Sequence, residues 1–74
     1  MNKERRKRLA EAFEKIGEVR EILEGVKDEE QEAYDNPPEN FQNGERGEEM
    51  QNYIEMIDEA CGYLEDAESI VDQI

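Results

Sequence analysis

A chain of 74 residues has room for one small domain. It holds 22 acidic and 9 basic residues, no His and one Cys, giving a net charge of −13 with an apolar fraction of 35%. A core of this size supplies only ~3–5 kcal/mol, and neither an internal disulfide nor a His-based metal site is available to reinforce it. The chain is therefore disordered, built from long helices, or oligomeric.

The first eight residues, Met1-Asn2-Lys3-Glu4-Arg5-Arg6-Lys7-Arg8, have the charge of a signal-peptide start. Leu9-Ala10-Glu11-Ala12-Phe13-Glu14 follows, which is not a hydrophobic region, so export is not expected. No apolar run approaches the ~18 residues of a membrane span, so no membrane partner is expected. A lone Cys61 fits a reducing cytosol. The acidic balance opposes direct binding to DNA or RNA.

Apolar periodicity argues against disorder. With Leu9 as heptad position a, Leu9, Ile16 and Leu23 fall on a, and Ala12, Val19, Val26 and Ala33 on d; Glu30 is the polar break. With Met50 as a, Met50, Ile57, Leu64 and Val71 fall on a, and Tyr53, Ala60, Ala67 and Ile74 on d. Fifteen of these sixteen sites are apolar, which predicts two packed helices, over about 3–34 and about 46–73.

Between them, residues 35–45 read as the connector. Pro37 disfavours helical geometry at Asn36, and both prolines lack a backbone donor, so the first helix should stop near Tyr34. Pro38 could open one short turn, Phe41 could plug the open end, and Asn43 or Gly44 could cap the second helix. Glu45, Glu48 and Glu49 suit the positive end of its dipole.

Such a connector lets the helices fold back antiparallel, setting Leu9 near Val71, Ile16 near Leu64 and Leu23 near Ile57. Five Lys or Arg in the first eight residues would then lie beside Asp66, Glu68 and Asp72. The expected architecture is all-α: an antiparallel helical hairpin of two long helices, one domain over 1–74. A hairpin cannot cover its own stripe. Met56, Tyr63 and Ile70 at g, Ile54 and Cys61 at e, and Ile22 and Phe13 in the first helix widen the apolar face. Self-association into a four-helix or larger bundle is expected, along a seam of Leu9, Ile16, Leu23, Met50, Tyr53, Ile57, Leu64 and Val71. Gly17, Gly25 and Gly62 fall on outward positions, as tolerated drift or as places of close approach by a partner.

Little of the sequence points to catalysis. With no His, His-dependent triads and His metal sites are excluded. Cys61 has no adjacent cation to lower its pKa and reads as a small core residue. No phosphate-binding glycine loop or EF-hand spacing occurs. Glu21-x-x-Glu24 and Glu55-x-x-Asp58 resemble the magnesium-binding carboxylates of all-α nucleotide pyrophosphohydrolases, but they fall at f and b, facing water. No enzyme activity and no cofactor are expected.

The stretch Asp28-Glu29-Glu30-Gln31-Glu32-Ala33-Tyr34-Asp35-Asn36, then Pro38-Glu39-Asn40 and Glu45-Arg46-Gly47-Glu48, resembles small acidic proteins of phages and prophages of Gram-positive bacteria, with Pro37 where that pattern carries Leu. The resemblance covers residues 28–74. It implies no activity; it implies a setting, the cytoplasm of an infected bacterial host, where small phage proteins often block host defence or host enzymes by binding.

Two binding readings follow. In the first, the chain inhibits a host defence or nucleic-acid-processing protein through an acidic helical face of Glu55, Asp58, Glu59, Glu65 and Asp66. Residues 47–74 hold nine acids and no base; over a helix of ~42 Å that is one charge per ~4.7 Å, against ~1.7 Å in duplex DNA, so imitation of nucleic acid needs oligomerisation. In the second, the chain is an oligomeric sponge: several basic ends, each with Arg5, Arg6, Lys7 and Arg8, meet around an anionic signalling nucleotide, with Phe13, Tyr34 or Phe41 stacking on its base. A structural coiled-coil component is a further alternative.

Overall fold

The computed structural model describes residues 1–36 and 45–74, with the side chain of Glu45 excepted. Two helices make up these residues: α1, Lys3–Asp35, and α2, Glu45–Asp72. They pack against each other as a hairpin in a rod of 58 × 14 × 12 Å. The expected turn at Pro38, the Phe41 plug and the caps at Asn43 and Gly44 lie outside the described residues.

Local chemistry sets the ends. Asn2 is extended, and its side-chain oxygen accepts from the Arg5 N–H at 2.9 Å, while Glu4 lies in the positive first turn. At the other end, Asn36 leaves helical geometry at φ −121°, as the residue before a proline should. Its backbone N–H and its side-chain amide both donate to the Glu32 carbonyl, at 3.0 and 3.2 Å, which satisfies one terminal acceptor. α2 ends by tightening, with the Gln73 and Ile74 N–H groups donating to the carbonyls of Ile70 and Val71.

The hairpin was legible from the heptads, but the faces that meet differ from the expected a/d seam. Leu9, Ile16, Leu23, Met50, Ile57, Leu64 and Val71, all at a, are half-buried. Beside them lie e positions: Arg20, Lys27 and Tyr34 of α1, and Ile54, Cys61 and Glu68 of α2, with Gly47 buried at the loop end. The d residues of α1 are exposed, and Tyr53, expected in the seam, is 55% exposed. Arg20 and Lys27 reach across to α2 from e and turn α1 about its axis, which carries Val19 and Val26 outward. On α2 the small d residues Ala60 and Ala67 stay half-buried, since they let the helices approach.

Burial is shallow. Among the described residues, Cys61 at 4% exposure is the buried apolar side chain, and no large side chain is fully enclosed. An acid in this seam should open it, because an unpaired buried charge costs several kcal/mol. Leu64→Asp should therefore abolish most of the helical circular dichroism signal; retained helicity would place Leu64 on the wrong face. Gly62 is a different case, since a Cβ there meets nothing within 4 Å. Gly62→Ala should stabilise the hairpin by ~1 kcal/mol, read as a rise in Tm of about 4–8 °C.

Candidate functional site

Successive helical residues are 100° apart, so a and e facing inward send d and g to one flank and b and f to the other. Antiparallel pairing brings the d/g rows of α1 and α2 to the same side of the rod. That side is apolar: Val19, Ile22, Val26, Tyr53, Met56, Tyr63 and Ile70 are between 43 and 67% exposed. The expected e/g face is thereby divided. Met56, Tyr63 and Ile70 at g point away from α1, whereas Ile54 and Cys61 at e are turned into the hairpin.

The opposite flank is ionic. The Arg20 guanidinium lies between two carboxylates, hydrogen-bonded to both oxygens of Glu68 on α2 and, at 3.0 Å, to Glu24 one turn along α1. Glu68 first and Glu24 second hold Arg20 above its ordinary pKa. Lys27 donates to Asp58 at 2.9 Å, and this bond raises the ammonium above its ordinary range. The sequence reading overlooked Arg20 and Lys27. The signal was present: two cations seven residues apart, at e, in the stretch 16–36, whose other charged residues are all acidic.

Of the expected acidic face, Asp58 is thus engaged by Lys27. Glu55, Glu59, Glu65 and Asp66 are exposed and stand in no ion pair or hydrogen bond among the described residues. Glu55 and Glu65 occupy the b/f flank, whereas Glu59 and Asp66, at c, lie on the outer edge of α2 within one turn of Met56, Tyr63 and Ile70. In the carboxylate pairs expected to resemble a magnesium site, Glu24 and Asp58 are each held by a cation, and no group of three or more His, Cys, Asp or Glu among the described residues could hold a metal ion.

The basic start behaves differently from the expected pairing with Asp66, Glu68 and Asp72. Arg6 Nη1 donates to the Ile74 carbonyl at 2.9 Å, at the negative end of α2, and Glu68 is taken by Arg20. Arg5 and Arg8 are exposed. The notch lined by Arg6, Leu9, Phe13 and Val71 measures about 220 Å³ and an open groove lined by Met1, Arg5, Arg8 and Leu9 about 390 Å³, against the ~300–1,000 Å³ of ordinary ligand pockets. Of the expected stacking residues, Phe13 lines the notch beside Arg6, whereas Tyr34 lies ~42 Å along α1 from Arg6 in the same hairpin. Phe41 lies outside the described residues. No described helix is long and apolar enough to cross a membrane.

The Lys27–Asp58 bond has a pH signature. A group with a raised folded pKa stabilises fully below its unfolded value and loses that contribution as pH rises through the folded one. Lys27→Met should lower the Tm near neutral pH, and its difference from the parent chain should close above about pH 10.4. A difference that persists beyond about pH 12 in thermal melts would show that the ammonium charge is not what joins the helices.

Compared with protein-family models, curated proteins and solved structures, the chain matches none.

Proposed function

We propose that this chain is a non-catalytic binding protein that associates with itself through the apolar d/g flank and presents its acidic flank to a basic protein surface. The observation that carries the reading is the pairing of two surfaces: seven half-exposed apolar side chains on one flank, and on the other flank and outer edge of α2 four carboxylates in no ion pair among the described residues. Completing the burial of the seven in two copies is worth on the order of 10 kcal/mol before the cost of association. A four-helix bundle is the smallest closed arrangement that covers them.

The carboxylates favour a basic partner by long-range attraction, which brings specificity and fast encounter more than affinity. With Asp58 and Glu68 neutralised by Lys27 and Arg20, seven of the nine acids of residues 47–74 remain, one per ~6 Å of helix. Two copies joined through the apolar flank turn their b/f acids to opposite sides, so each side keeps a spacing wider than the ~3.4 Å of one DNA strand. The acidic surface and the resemblance of residues 28–74 to phage and prophage proteins support a defence or nucleic-acid-processing protein of the infected host as the target class, met in its cytoplasm.

The test is charge removal without loss of shape. Glu55→Gln, Glu59→Gln, Glu65→Gln and Asp66→Asn combined should keep helicity, since like-charge repulsion is relieved, and should abolish capture of the host protein that the parent chain retains. Capture by the parent chain should itself fall with added salt. Binding that survives the four changes, or is indifferent to salt, would remove the acidic flank from consideration.

A further inference from the structure

The self-association proposed above leaves the orientation of the second copy open, and the charges along the apolar flank supply it. On α1 the d and g positions run Arg5, Arg8, Ala12, Lys15, Val19, Ile22, Val26, Glu29 and Ala33. The flank is cationic toward the open end of the hairpin, apolar in the middle and acidic toward the loop end. Arg8, Lys15 and Glu29 are all exposed, and Glu32 borders the same end. At the loop end α2 adds Glu49 at g and Arg46 at d, both exposed, so acids outnumber cations there.

We infer that the second copy docks head-to-tail on this flank, about a two-fold axis passing through Ile22 and Tyr63. The axis has to cross both helices at one level of the rod. The hairpin meets this condition closely: the Arg6–Ile74, Arg20–Glu68 and Lys27–Asp58 contacts together place Ile22 near the level of Tyr63. About that axis, Ile22 meets its own copy, Tyr63 meets its own copy, and Met56 meets Ile70. Lys15 of each copy then falls opposite Glu29 of the other. The other two-fold arrangement, with both loop ends together, sets Arg8 and Lys15 of the two copies at one end and Glu29 and Glu49 at the other. Cations gather at one end of that dimer and, Arg46 aside, acids at the other, which costs it free energy.

Disulfide trapping reads the orientation directly, in a Cys61→Ala background checked for native helicity. Ile22→Cys should link to its own copy, and Lys15→Cys mixed with Glu29→Cys should link across copies, because a disulfide needs Cα atoms within ~7 Å. Lys15→Cys alone should stay unlinked, its copy being ~21 Å further along the helix. Charge reversal gives an independent readout from light scattering of the reduced parent chain and its variants. Lys15→Glu and Glu29→Lys should each weaken dimerisation on the order of tenfold, and the double variant should restore it. A dimer that links Lys15→Cys to Ile70→Cys, but not Ile22→Cys to itself, overturns the head-to-tail arrangement and leaves self-association standing. A parent chain that stays monomeric across the micromolar range overturns both.

Discussion

The rotation of α1 about its own axis decides what the rest of the molecule can be. Helical periodicity allowed either flank of the a stripe to face α2. Arg20 on Glu68 and Lys27 on Asp58 select the e side. Once e is inside, Cys61, Ile54 and Gly47 come with it, and the whole d/g row of both helices is left outside. The pairs are only partly shielded: Arg20 is 25% and Glu68 15% exposed, while Asp58 is 69% exposed. Their effect is to orient the helices rather than to supply bulk stability.

That division explains how much of the fold could be read beforehand. The two helices, their ends near Tyr34 and Glu45, and the antiparallel return followed from heptad spacing and from Pro37. The a residues were legible because each sits at the centre of its stripe, where either rotation buries it; Leu9 and Val71 do line the same notch. Tyr53, Val19 and Val26 were not legible as outward residues, because d and e differ only through partner contacts. Arg20 and Lys27 were obscured by composition. With 22 acids available, any cation has several carboxylates within one or two turns, and only the packed helices show which one it meets.

The surfaces follow the same logic. Glu55, Glu59, Glu65 and Asp66 could be placed outward from sequence, since b, c and f lie far from any seam. Asp58 occupies the same kind of position and is nevertheless engaged, because the long side chain of Lys27 extends to it around the edge of the seam. The basic start shows the reverse. Charge counting matched it to the acids of α2, whereas the described contact is from Arg6 to a backbone carbonyl, where a helix end concentrates negative potential without any side chain.

The burial of Cys61 has a consequence of its own. Its thiol is enclosed between the two helices near the middle of α2. A reagent of ordinary size reaches the sulfur only while α1 and α2 are apart, so the rate of alkylation counts separations of the helices. Where closing outpaces labelling, that rate divided by the rate of an unprotected thiol gives the open fraction, on the same footing as amide exchange. The chain thus carries an internal gauge of its breathing, sensitive to fluctuations too rare for circular dichroism to register.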